Sequence, residues 1–175
     1  MVEVQPMIEA VEKALLARLA KALPELKVEA WQDDPATYRL DHPKGAALVR
    51  YLGSAYREPL APDAQSQPRA LKWQVTLALR SLRSHREAYA LLEAVRLALQ
   101  GWGAGETGGA FRLAADAFDK VAHGVWTYSV TLEHTLVAVP DLAALGEDPQ
   151  ELTRVTRITA ISPPLHETII TQRNL

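Results

Sequence analysis

The sequence contains no cysteine. Disulfide bonds and thiolate metal centres are thereby excluded, and a reducing compartment is permitted. An excess of one charge sign is also missing: acidic and basic residues are interspersed and the net charge is -2. A broad nucleic-acid footprint needs a basic face or stripe, which this balance does not supply. No apolar run approaches the ~20 residues that span a bilayer. Residues 1–6 carry Glu3 and no basic stretch leading into an apolar one, so they do not read as a secretion signal. Asparagine occurs only at Asn174 and arginine outnumbers lysine. A GC-rich genome accounts for this bias more simply than a thermophilic host.

Reactive motifs are equally scarce. The five histidines (His42, His85, His123, His134 and His166) are scattered, and none sits in a zinc-ligand spacing. No serine occupies a G-x-S-x-G elbow. The Gly-rich stretch 101–109 follows a helical pattern and precedes a strand-like one, with no lysine after it. A phosphate-cradling loop requires the reverse order, so this stretch reads as a flexible loop. Asp33 and Asp34, and Asp116 and Asp119, read as solvated edges. His134 is expected beside Asp119 on the apolar side of a hairpin, as a polar pair rather than an acid–base couple. No catalytic, cofactor or metal site is expected, and the chain does not read as an enzyme.

What the sequence does contain is apolar periodicity. With 175 residues, 48 % of them hydrophobic, the chain is long enough to bury a core. Ile8, Val11, Leu15, Leu19 and Leu23 recur at helical spacing over residues 7–23, and Pro24 stops the pattern. Residues 26–31 alternate as a strand. The run 46–52 is more uniformly apolar and is closed by Gly53, which predicts a central strand. Residues 54–69, with three prolines and little periodicity, read as a long exposed loop. Leu71, Trp73, Val75, Leu77 and Leu79 alternate with Lys72, Gln74, Thr76, Ala78 and Arg80 as a clear strand. Ser84 and Glu87 have capping-box spacing. They open a helix over 85–100 whose inward face would be Ala88, Leu91, Leu92, Val95 and Leu99.

Residues 110–139 read as one long β-hairpin turning at His123-Gly124. In that register Ala122 opposes Val125, Val121 opposes Trp126 and Phe111 opposes Leu136. Phe111, Leu113, Ala115, Ala117 and Val121 then share an apolar side with Trp126, Tyr128, Val130, Leu132 and Leu136. Arg112, Ala114, Asp116, Phe118 and Lys120 share the polar side with Thr127, Ser129, Thr131, Glu133 and Thr135. Each arm is about twice the usual ~5–6 residues. Beyond Pro140, residues 141–145 and 149–152 read as helical turns and 154–161 as a weak strand. The expected architecture is α+β: a mainly antiparallel sheet with a long hairpin and helices packed on one face. A domain over 1–140 is followed by a carboxy-terminal arm, 141–175.

The hairpin centre Gly-Val-Trp-Thr-Tyr-Ser-Val-Thr-Leu, the strand–helix unit at 71–100 and the amino-terminal helix together resemble the tail terminator proteins of Mu-like contractile-tailed phages. That family is often described only as a Mu-like prophage protein. The resemblance covers roughly residues 7–139 and leaves the arm unmatched. It implies a hexameric ring, a homo-oligomer that caps the head-proximal end of the tail tube and stops polymerisation. The ring would contact tail tube, sheath and neck or connector proteins, in a virion tail assembled in the host bacterial cytoplasm. It implies no cofactor, no membrane contact, and no nucleic acid beyond what passes through the channel.

Tyr56, Arg57 and Trp102 are the candidate assembly contacts, because aromatics and arginine dominate interface hot spots and these three lie in loops without a core pattern. Trp102 has two readings, an exposed partner contact or a helix-end residue folded back on the core. At least one of the loops 54–69 and 101–109 is expected to order only against a neighbour. Two other functions fit the same sequence: a neck or baseplate-adjacent adaptor, and a small ligand-binding α+β domain with a pocket of residues distant in sequence.

Overall fold

The computed structural model describes residues 7–31, 38–59, 66–80, 82–104 and 109–139. The chain divides into two units, residues 1–139 and 140–175. The second unit, with the helical turns and strand expected there, lies outside the described residues, as do the interiors of both loops expected to order on assembly.

Helix α1 (Met7–Ala22) buries Val11, Leu15 and Leu19, one stripe of a 3.6-residue period. It ends where Leu23 donates to the Leu19 carbonyl at 2.8 Å and Pro24 follows. Strand β1 (Lys27–Ala30) pairs in parallel with β2 (Gly45–Tyr56). Strands β3 (Gln67–Arg80), β4 (Arg112–Ala122) and β5 (Val125–Ala138) complete a sheet ordered β1-β2-β3-β5-β4, with every pairing after the first antiparallel. Helix α2 (Arg86–Leu99) runs between β3 and β4.

Strand β3 is the centre of the core. Leu71, Trp73, Val75, Leu77 and Leu79 point to one face and are fully or almost fully buried. Val130, Leu132 and Tyr128 stand beside them on β5, facing Val75, Trp73 and Leu77 in register. The stripe of α1 and Ala88, Val95, Ala98 and Leu99 of α2 cover this face, with Leu91 and Leu92 packed at its margin. The α+β architecture with helices on one face is as the sequence implies. The opposite face is partly covered too, since Ala46, Leu48, Thr76, Ala78 and Ser129 are buried. The connection from β1 to β2 is tied to that face. Arg80 donates to the Leu40 carbonyl, Tyr38 donates to Glu29 Oε1 at 2.8 Å, and the Arg80 amide donates to the Lys44 carbonyl at 3.0 Å.

Three local expectations change. Gly53 does not end β2. A bulge at Leu52 absorbs one residue, Gly53 takes φ +132°, and the strand continues to Tyr56, paired with Arg69. The Arg57 amide extends the ladder to the Pro68 carbonyl at 2.9 Å, so both ends of the expected loop 54–69 are hairpin stem. The capping box at Ser84 does not form. The Glu87 amide donates to the Ser84 carbonyl at 3.3 Å, the Glu87 carboxylate accepts from the Arg83 amide at 3.1 Å, and α2 begins at Arg86 without a side-chain cap at His85.

The third change concerns the long hairpin. Its turn is as expected: His123 and Gly124 take φ +49° and +75°, with Ala122 opposite Val125 and Val121 opposite Trp126. Two bulges then interrupt β4, at Ala114 and Asp119, and each inverts the alternation. Between them Ala115 and Ala117 oppose Thr131 and Ser129, while Asp116 and Phe118 join the apolar side opposite Val130 and Tyr128. The second bulge lets the Asp119 carboxylate accept from the Ser129 hydroxyl at 2.9 Å. After both bulges Phe111 stacks against His134 rather than opposing Leu136.

Candidate assembly surface

The topology gathers four strand termini at one end of the sheet: the end of β2, the start of β3, the end of β5 and the start of β4. Tyr56, Arg57 and Trp102 all belong to this end, although no direct contact links Trp102 to the other two among the described residues. Tyr56 is 54 % exposed. The Arg69 guanidinium lies over its ring, 5.3 Å from the centroid. Arg69 also donates to Ser54 Oγ at 2.8 Å and to the Tyr51 hydroxyl at 3.3 Å, and those two hydroxyls are 2.6 Å apart. Tyr51 in turn packs on the buried Trp73 ring at 5.3 Å. An outward aromatic is thus anchored to the core through arginine and two hydroxyls, which fixes its position before any partner arrives.

Arg57 is exposed and directly follows the strand. Trp102 is half-buried and folded back: it stacks on Phe111 at 5.5 Å with 9° between planes, and Arg18 caps its outer face at 5.6 Å. Of the three candidates, Tyr56 and Arg57 present the freer surface. Leu52, Val137 and Val139 are also exposed at this end, and sequence reasoning missed them. The signal existed for Leu52, an apolar residue before the Gly that makes the bulge. For Arg69 there was none, because its partners lie fifteen residues away on another strand.

The opposite end carries a second aromatic group, also missed. His85 Nδ1 and the Tyr128 hydroxyl share a hydrogen bond of 2.8 Å. The same imidazole meets Trp126 and Phe118 edge-on, at 4.6 and 5.0 Å. Phe118 reaches this group because of the bulge at Asp119.

Among the described residues no three histidine, aspartate or glutamate side chains converge to hold a metal ion. His134 and Asp119, expected side by side, are apart in their bonding, the first stacked on Phe111 and the second bonded to Ser129. Burial lowers the His134 pKa, with the Gly109 carbonyl acting in the opposite direction. Burial, and secondarily the Glu29 carboxylate, pushes Tyr38 up. No helix among the described residues is long and apolar enough to cross a membrane.

Residues 15–158 match the family described as Gp37 protein. The match runs past Pro140, further than the resemblance drawn from the sequence. No curated protein matches the chain. Among solved structures, a chain from the virion of a native gene transfer agent particle is similar in fold. Its TM-score is 0.50 at 12 % identity, covering 75 % of this chain and 98 % of that one.

Proposed function

The chain belongs to the Gp37 protein family, and we propose that it is a structural virion protein that caps a tail tube. In this reading its copies form a hexameric ring, end tube polymerisation and offer the surface to which a neck or head connector attaches. The observation that carries the reading is the fold comparison. Nearly all of a chain from a gene transfer agent virion, 98 %, is accommodated within this one.

The physical properties support the same role. A ring of identical subunits needs a heterologous contact, one patch meeting a different patch on the next copy. The sheet offers separate apolar and aromatic groups at its two ends, Tyr56 with Leu52 and Val137 at one, Phe118 and Val121 at the other. Strands of 11 to 14 residues carry these patches well apart. The near-neutral net charge suits protein partners, namely tail tube, sheath and neck proteins, and no cofactor is required. The chain would act in the virion tail after assembly in the bacterial cytoplasm.

Mass determination in solution, combined with negative-stain imaging, tests the ring directly. Closed rings in the purified protein, or on addition of tube protein, support the reading. A monomer that stays monomeric with tube protein and carries a small molecule through purification would favour a ligand-binding domain. Rings that bind neck components and leave tube length unchanged would favour an adaptor.

A further inference from the structure

Helices α1 and α2 pack side by side, and an open groove of about 380 Å³ lies between them. Arg18, Lys21, Ala22, Ala94, Leu97 and Ala98 line it. The alanines make its floor shallow, and Leu97 stands 68 % exposed at the rim, an apolar side chain with no role in the core. Among the described residues no ion pair joins the two cations of the groove to a carboxylate. Arg18 donates to the Ala98 carbonyl at 3.0 Å and caps Trp102, so its contacts are with uncharged groups. Lys21 makes no ion pair among the described residues. An apolar trough bounded by two positive charges fits an acidic segment with leucines on one side.

The chain contains such a segment. Residues 141–152 carry Asp141, Glu147, Asp148 and Glu151, no lysine, arginine or histidine, and the leucines Leu142, Leu145 and Leu152. The segment falls inside the stretch that matches the family.

We propose that residues 141–152 of one copy dock in the α1–α2 groove of a second copy. The leucines lie against Leu97 and the alanine floor, and the carboxylates face Arg18 and Lys21. This deepens the ring reading and rests on it. Each subunit gives one arm and receives one, a heterologous contact that a closed ring satisfies at every junction. Charge complementarity selects the occupant, and contacts at the rim of the groove make the docking sensitive to salt.

The absence of cysteine makes the test clean. Two full-length single-cysteine variants, Leu97→Cys and Leu145→Cys, are mixed and exposed to a mild oxidant. The expected product is a disulfide-linked heterodimer, formed in preference to either homodimer. Lys21→Glu in the Leu97→Cys chain should lower its yield several-fold, and pairing that chain with Glu147→Lys/Glu151→Lys in the Leu145→Cys chain should restore it. In about 1 M salt, where the Debye length is roughly 3 Å, the yield should also fall. No heterodimer overturns the proposal. So does a closed intramolecular disulfide in the Leu97→Cys/Leu145→Cys double variant without any heterodimer between the singles, which places the arm in its own groove. An acidic peptide from tube protein that displaces nothing and seats in an otherwise empty groove overturns it as well. Imaging of the unmodified protein separates the two readings. Rings without the cross-link remove the arm contact alone, and a cross-link without rings removes the ring alone.

Discussion

Phe111 stacks on the buried imidazole of His134, with ring centroids 4.7 Å apart and 22° between planes. Trp102 continues the stack on the other face of Phe111, and Arg18 of α1 closes it. The Gly101 amide donates to the Phe111 carbonyl and the Phe111 amide to the Trp102 carbonyl, at 2.9 and 2.8 Å. This column ties both helices and the stem of the Gly-rich connection to β5. Neither ring nitrogen of His134 has a hydrogen-bond partner of normal geometry, so the ring is held there as a neutral aromatic.

That position predicts acid sensitivity. Burial lowers the folded pKa of His134, so the unfolded chain takes up a proton first as pH falls. The contribution is complete above the unfolded value of about 6.5 and is lost below it, at up to ~1.4 kcal/mol per pH unit, until the folded group also protonates. Urea unfolding from about pH 7.5 to about pH 5.5 should show this loss, and His134→Leu should flatten it. An identical slope in the variant would assign the effect to other groups.

The bulges in β4 predict an asymmetry between two residues that a straight register places on one face. Val130 is buried and Ala117 is exposed. Val130→Asp should cost about 3–5 kcal/mol through an uncompensated buried charge. Ala117→Asp should stay within ~0.5 kcal/mol of the parent. Equal losses in thermal melts would restore the uninterrupted register.

Gly45 has φ +140°, and a Cβ there would sit 2.3 Å from the Ala78 carbonyl oxygen. Gly53 has a similar φ of +132° with open space around it. Gly45→Ala should therefore lose at least ~2 kcal/mol, from strain and from displacement of β3. Gly53→Ala should lose less, since it carries the strain alone. The reverse order in chemical denaturation would contradict the β2–β3 register.

Replacing residues 57–66 with a short Gly-Ser turn leaves the Arg69–Tyr51–Ser54 network and the core in place. Its melting point should stay near that of the parent, while ring formation or tube capping is impaired. A shortened variant that still ends tails at normal length would move the contact away from Arg57 and the β2–β3 hairpin tip, toward residues beyond Pro140.

The sequence made the fold legible wherever one face had to be buried. The α1 stripe, the alternation of Leu71 to Leu79 and the His123-Gly124 turn all carry local periodic signals, and each appears where expected. The bulges at Leu52, Ala114 and Asp119 carry no such signal, because a single extra residue is fixed by pairing across strands. The assembly end was half legible for the same reason. Tyr56 and Arg57 stood out as large residues without a core pattern. The fixing of Tyr56 by Arg69, and the folding back of Trp102 onto Phe111, depend on partners brought together only by the fold.

The most direct test of the central claim is tube length. Purified protein is titrated into polymerising tail tube protein and tubes are measured by negative-stain electron microscopy. The account predicts shorter tubes as the ratio of this protein to tube protein rises, each with a ring at one end and never at both. Tubes of unchanged length, with no ring at either end at any ratio, would contradict it.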